Sequence, residues 1–173
     1  MHDTGDLAGF TEYAEARAAT LFRTAYLMVG DHQLAEDLLQ EALVKTLMAW
    51  PRLHDRDGLE AYSRRIIVTT LISWRRRRSF HERPMEVLPE RSGSDPAVAV
   101  VTHDAVIAAL RTVPPRQRAA IVLRYYQDLT EAQTAEAMGC SVGAVKSQVS
   151  EGLRRLRETL GPTFDHATTA TGG

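Results

Sequence analysis

Apolar residues recur along this chain at spacings of three and four, and the strict alternation of a half-buried strand is absent. That pattern restricts the chain to an all-α fold, because a helical period has no face to offer a sheet. One long interruption divides it. From Phe80 to Val101 the chain holds Pro84, Pro89, Gly93 and Pro96 with two serines and no clean period, which reads as a linker. The expectation is two small helical domains joined by a flexible linker: residues 1–83, a linker over 84–103, residues 104–161, and a small, polar, disordered tail over 162–173. Apolar residues at 44% and charged residues at 25% match ordinary globular proteins and exclude generic disorder or a collagen-like chain.

Punctuation sets the helices. The first is expected from Phe10 to Val29, stopped by Gly30. Asp31 caps a second, His32 to Trp50, ended by Pro51, with Leu39, Leu43, Leu47 and Trp50 as its core stripe. Asp57-Gly-Leu-Glu60 has the form of a capping box and opens a third helix reaching Ser79. Beyond the linker, a helix from Asp104 to Arg111 is broken at Pro114-Pro115, and the next ends near Tyr126-Gln127-Asp128.

The segment from Leu129 to Leu160 carries the strongest local signal. Thr130-Glu-Ala-Gln133 is a capping box for a helix over Glu131 to Met138. Gly139 supplies a left-handed stop, and Ser141 caps the next helix. Helix, glycine-containing turn, helix is the helix-turn-helix plan. On the second helix Val142, Val145, Val149, Leu153, Leu156 and Leu160 form the core stripe. The opposite face carries Gly143, Ala144, Ser147, Ser150, Glu151 and Arg154, small and polar where a major groove must admit a helix closely. Lys146, Arg154, Arg155 and Arg157 supply charge for phosphates. An ordinary amphipathic hairpin shares many of these features.

The net charge of −1 reads at first against a nucleic-acid binder. It is a cancellation between blocks. Ala61 to Arg83 holds seven arginines and one glutamate, while Gly30 to Glu60 holds three basic and seven acidic residues. The run Trp74-Arg-Arg-Arg-Arg78, with Arg64 and Arg65 on the same helix, exceeds what a helix C-terminus requires. A solvated charge run is the plainer alternative. Of the basic residues only Lys45 and Lys146 are lysine, a bias that suits forked contacts to phosphate and that high genomic GC content also produces. Asp37, Gln40, Glu41, Val44 and Met48 lie opposite the second helix's stripe, a mixed surface suited to a basic protein partner or to solvent.

Other classes are bounded quickly. Cys140 stands alone, so neither an internal disulfide nor a cysteine zinc site is available, and a reducing compartment is implied. No run approaches the roughly 18–20 apolar residues of a membrane span, and the start, Met1-His-Asp-Thr-Gly-Asp6, lacks a signal-peptide pattern; a cytoplasmic chain without a membrane partner is expected. Six histidines are scattered without ligand spacing, and no phosphate loop or nucleophile elbow occurs, so neither catalysis nor a cofactor or metal is expected.

The order of motifs resembles a known family. Asp31-His-Gln-Leu-Ala-Glu-Asp-Leu-Leu-Gln-Glu-Ala-Leu43 with Trp50 is similar to region two of extracytoplasmic-function sigma factors. Leu110-Arg-Thr-Val-Pro-Pro-Arg-Gln-Arg118, Leu123-Arg-Tyr-Tyr126 and Ala137-Met-Gly-Cys-Ser-Val-Gly-Ala-Val-Lys-Ser-Gln148 resemble region four, most closely in the actinobacterial sigma-E subfamily. The resemblance spans Leu7 to Leu160 in the right order. It implies a protein that joins core RNA polymerase and directs it to promoter DNA. Asp37, Gln40, Glu41, Val44 and Met48 then face the β′ clamp helices. Ser63, Arg64, Arg65, Thr69, Thr70, Trp74, Arg75, Arg76, Arg77 and Arg78 capture and open the minus-ten element. Thr130, Gly143, Ala144, Lys146, Ser147, Ser150, Glu151 and Arg154 meet the minus-thirty-five element, and Arg116 and Arg124 meet phosphate or the β flap. Glu82, Glu86, Glu90 and Asp95 of the linker would mimic the charge of a transcript. An anti-sigma partner is left open by the resemblance. Ala144 and Glu151 depart from the threonine and the basic residue frequent at those positions. A stand-alone helix-turn-helix regulator would account for 104–160 but not for the acidic and arginine-rich helices before it. A purely protein-binding helical adaptor would leave both basic helices unexplained.

Overall fold

The computed structural model describes residues 4–53, 56–78 and 103–162. Helix α1 (Thr4–Val29) starts earlier than the apolar period alone indicates and ends at Gly30, whose φ of 71° is left-handed and whose N–H returns to the Tyr26 carbonyl at 2.7 Å. Asp31 caps α2 (His32–Ala49), its carboxylate accepting the Leu34 N–H at 2.8 Å. A 3-10 turn over Trp50–Arg52 follows, and the Trp50 ring packs edge-on against Phe10, centroids 5.4 Å apart, and beside Tyr13. Helix α3 (Arg56–Arg78) completes the first half.

Two expectations for this half are corrected. The core stripe of α2 is Ala35, Leu38, Ala42 and Thr46; Leu39 and Leu43 flank it, and Leu47 is 38% exposed. Small side chains on the inner face let α2 approach α1 and α3 closely, and Thr46 satisfies its hydroxyl on the Ala42 carbonyl at 2.8 Å. Asp57 is not an N-cap, because α3 already starts at Arg56. Glu60 instead pairs with Arg64 at 3.0 Å and with Arg17 of α1 at 3.3 Å.

The second half runs α4 (His103–Thr112), α5 (Pro115–Ile121), a π-helical turn over Val122–Tyr126, α6 (Glu131–Met138) and α7 (Val142–Leu160). The π turn ends the helix where the sequence predicts an end, closing with Gln127 N–H on Val122 and Leu129 N–H on Leu123, both at 3.1 Å. Asp128 takes the left-handed φ of 52° that turns the chain into α6.

The fold is all-α with two helical subdomains, and they pack on each other. One buried cluster runs from Leu21, Met28, Leu38 and Ile67 of the first to Ala119, Leu123, Leu129 and Met138 of the second. Helix α6 lies on α3, and α1 touches α4 and α5. A smaller cluster of Ala109, Leu110, Val113, Ile121 and Leu156 holds α4, α5 and α7 together. Residues 79–102, which hold the linker and Glu82, Glu86, Glu90 and Asp95, and the tail from 163 lie outside the described residues. Among the described residues no helix is long and apolar enough to cross a membrane, and no cluster of three or more metal-ligating side chains occurs.

Candidate nucleic-acid interface

The helix-turn-helix forms as its caps require. Thr130 Oγ1 accepts the Gln133 N–H at 3.1 Å, and Gln133 Oε1 accepts the Thr130 N–H at 2.9 Å. Gly139 sits at φ 63°, and the Cys140 N–H returns to the Ala135 carbonyl at 3.0 Å. Ser141 then caps α7 through the Ala144 N–H at 3.1 Å. Val145 and Leu156 are buried, while Val142 at the helix start is 38% exposed.

The outer face of α7 is open. Gly143, Lys146, Ser147, Ser150 and Arg154 are exposed, and Ala144 and Glu151 are half-buried. A Cβ on Gly143 would meet nothing closer than the Ser141 hydroxyl at 3.9 Å, so the entering end of the helix has free space before it. Its charges are largely paired. Lys146 lies 3.6 Å from Glu131, and Arg154 donates to Glu151 at 2.5 and 3.1 Å and also to Glu158. The Arg154 hydrogen bond holds the Glu151 carboxyl below its ordinary range, and Glu151 in turn raises the Arg154 guanidinium. Glu151 therefore neutralises the basic side chain beside it on this face.

Gly152 escaped the reading of α7 by faces. It is buried, and a Cβ there would fall 2.6 Å from Ile121 Cδ1 and 3.2 Å from Gln117 Cβ. The glycine sets how closely α7 rests on α5. A glycine on the inner face of an otherwise apolar stripe is the available sequence signal.

On α3 the candidates separate. Arg65, Thr69, Arg75, Arg76 and Arg77 are exposed, and Arg77 donates to Ser73 at 3.0 Å. Thr69 returns its hydroxyl to the Arg65 carbonyl at 2.8 Å, and Arg64 is half-buried on Glu60. Arg78 ends the helix. Ser63 and Thr70 are corrected: both are buried, at 0% and 1% exposure. Ser63 shares hydrogen bonds with the Tyr13 hydroxyl at 2.8 Å and with Thr46 at 3.3 Å, and Thr70 accepts from Lys45 Nζ at 3.0 Å. They satisfy polar groups between α1, α2 and α3, and a strand of DNA has no access to them in this arrangement. Burial pushes the Tyr13 phenol up despite its Ser63 partner.

On α2, Val44 is 57% and Met48 73% exposed, adjoining Leu47, with Asp37 and Gln40 on the same side of the helix. Glu41 is set further in. It accepts Lys45 Nζ at 2.7 Å and the Trp74 indole N–H at 2.9 Å, so it braces α3 from the edge of this surface.

Comparisons with known proteins agree with this geometry. The model of sigma-70 region 2 matches residues 14–81 and that of sigma-70 region 4 matches residues 103–156. The RNA polymerase sigma-E factor of Streptomyces avermitilis is 37% identical over 156 residues, covering 90% of this chain and 87% of that protein. That of Streptomyces coelicolor is 36% identical over 156 residues, with 90% and 88% covered. Among solved structures, the sigma factor RpoE of Bartonella quintana, in complex with the anti-sigma factor NepR, shares the fold with a TM-score of 0.67 at 24% identity, over 88% of this chain and 96% of that one. Paired regions two and four define a sigma factor of the sigma-70 type, which directs RNA polymerase to promoters and is not itself an enzyme. The chain belongs to the extracytoplasmic-function sigma factors, in the sigma-E-like subfamily.

Proposed function

We propose that three surfaces divide the work of promoter-directed initiation in this chain. The outer face of α2, with Val44 and Met48 beside Asp37 and Gln40, docks on the clamp helices of the polymerase β′ subunit. The exposed α3 residues Arg65, Thr69, Arg75, Arg76 and Arg77, with Arg78 at the helix end, engage the minus-ten element, and Glu41 and Trp74 position that helix. The open face of α7, from Gly143 through Ser147 to Arg154, enters the major groove at the minus-thirty-five element, with Thr130 at the edge of that surface. Residues 1–83 and 104–161 form the two working units, joined by 84–103 and followed by a tail over 162–173.

The observation that carries this reading is the coexistence of two unlike surfaces on separate helices. Val44, Leu47 and Met48 expose apolar area that solvent disfavours and a protein partner would cover. The α7 face is small, polar and open, as a groove requires. The test is transcription from a fully paired promoter by purified core polymerase with and without the chain. Specific initiation only with the chain is expected, and a chain that neither joins core nor stimulates initiation would refute the reading. Ser147→Ala should alter dependence on the minus-thirty-five sequence more than on the minus-ten sequence.

An anti-sigma factor as a further partner is supported by one feature. An apolar cleft of about 670 Å³ opens between α1 and the second subdomain, lined by Phe22, Tyr26, Leu27, Leu110, Ile121 and Leu153. Co-purification from the native host, with and without Phe22→Ser, tests it; unchanged capture by the variant would remove the cleft from the proposal.

A further inference from the structure

The helix-turn-helix carries no net charge. From Glu131 to Leu160 the chain holds four basic and four acidic residues. A surface that grips DNA through its phosphates is clearly basic, because neutralising phosphates releases counterions and supplies the sequence-independent part of the affinity. The balance here is also local. On the outer face of α7 the cations are Lys146 and Arg154, and each is paired with a carboxylate of the same motif, Glu131 and Glu151.

Arg154 is the more closely held. Its Nε donates to Glu151 Oε2 at 3.1 Å and its Nη2 to Glu151 Oε1 at 2.5 Å, so one carboxylate takes one edge of the guanidinium. Nη1 donates to Glu158, one turn further along. Arg155 adds a contact of 3.6 Å to Glu151 from the other side. Glu151 thus stands between two guanidinium groups, one turn beyond Ser147 on the face that is otherwise small and polar. A guanidinium carries five N–H groups. Three go to the two carboxylates, and Nη1 and Nη2 keep one each. A base edge with two acceptors, such as O6 and N7 of guanine, takes two donors of this kind.

Pairing of this sort acts unequally on the two classes of DNA contact. Attraction to phosphate is Coulombic and acts on summed charge, so a carboxylate against the guanidinium cancels much of it. A hydrogen bond to a base edge is short-ranged and directional, and the two remaining N–H groups keep that capacity. The pair also restricts the rotamers of a long side chain that is 51% exposed.

We infer that Glu151 is a specificity-determining residue of the minus-thirty-five contact: by holding Arg154 it withdraws that cation from phosphates of any sequence and leaves its remaining donors for base edges. Glu151 acts through Arg154 and is a positioning residue. The inference rests on the proposed entry of α7 into the major groove.

Glu151→Gln keeps the size of the side chain and removes its charge. The full chain bound to core polymerase is titrated, over a range of salt, with a promoter from which it initiates and with the same duplex carrying a scrambled minus-thirty-five element. For Glu151→Gln the slope of log affinity against log salt should steepen by about 1, and the scrambled duplex should bind about fivefold more tightly at ~0.1 M salt, the effect of one further phosphate contact. The intact promoter should gain less than twofold, so discrimination narrows at least twofold. In an Arg154→Ala background the same change should move the scrambled duplex by less than twofold, which separates restraint of Arg154 from the general loss of a negative charge. Glu151→Asp should discriminate more like wild type than Glu151→Gln does. Equal affinities for Glu151→Gln and wild type would overturn the inference, as would a full gain that persists without Arg154. Weaker binding of Glu151→Gln to the intact promoter would also overturn it, by making Glu151 itself the reader of a base. If the wild-type complex bound both duplexes equally, the proposed role of α7 would fall, and the salt slopes would still decide whether Glu151 restrains Arg154.

Discussion

The Trp74 indole N–H donates to Glu41 Oε2 at 2.9 Å, joining the edge of the exposed α2 surface to the residue from which the arginine run of α3 begins. Lys45 completes the joint by donating to Glu41 Oε1 at 2.7 Å and to Thr70 at 3.0 Å. One carboxylate thus fixes the rotation of α3 relative to the proposed docking face. The joint, the arginine run beyond it and the contact of α7 with α5 each have a measurable consequence.

Trp74→Phe keeps most of the ring and deletes the indole donor. A charge-assisted bond of this kind is worth about 1.5–3 kcal/mol, and the partial exposure of Glu41 places the loss toward ~1 kcal/mol. Chemical denaturation should show that loss. Promoter opening should fall severalfold, with core affinity changed less than twofold.

The same joint is acid-sensitive. The hydrogen bond from Lys45 holds the Glu41 carboxyl below its ordinary range, with burial opposing and Trp74 assisting. A carboxyl depressed in the folded state contributes stability above its unfolded value of about 4.3, and loses it as pH falls through the lower folded value. The stability advantage of wild type over Glu41→Gln should therefore be full at pH 6–7. It should shrink as the solution is taken below pH ~4, read by denaturation at each pH.

Replacing Arg75, Arg76, Arg77 and Arg78 together by alanine should impair promoter opening and leave core association intact. If each meets a phosphate, the slope of log affinity against log salt for the polymerase-bound complex should fall by roughly 3–4 units. Competition for core against the wild-type chain separates the two effects, and an equal loss of core binding would contradict the division of surfaces.

Gly152→Ala sets helix propensity against packing. Alanine favours the helix by about 1 kcal/mol, while a Cβ 2.6 Å from Ile121 Cδ1 and 3.2 Å from Gln117 Cβ overpacks a buried contact at a cost of ~1–3 kcal/mol. A net destabilisation near 1 kcal/mol is expected in thermal or chemical unfolding. The companion change Ile121→Val should recover part of it by withdrawing the nearer atom.

Much of the fold was legible because its signals are local. The capping box at Thr130, the left-handed Gly139 and the Ser141 cap each act within a few residues, and α6 and α7 start and stop where those residues indicate. Glycine and proline bounded α2 and α5 in the same way. The inner face of α2 was misread because periodicity weighs side chains by hydrophobicity. The closest helix approaches are made by small ones, so Ala35, Ala42 and Thr46 turn inward and Leu47 is left partly outside. Ser63 and Thr70 looked available on an arginine-rich helix. Their hydroxyls are consumed by Tyr13, Thr46 and Lys45, residues distant or separately helical in sequence.

The amino-acid sequence by itself determined the helical class, the helix-turn-helix, the blocks of opposite charge and the family, since each follows from the order and spacing of neighbouring residues. Tertiary structure alone decided which polar side chains remain available and how the halves meet. Arg118 closes the Leu110–Arg118 motif with no local signal of burial, yet it lies buried between the carbonyl ends of α1 and α4. A helix terminus acquires a partner only when folding brings a donor to it, and Met28 and Arg118 are 90 residues apart along the chain.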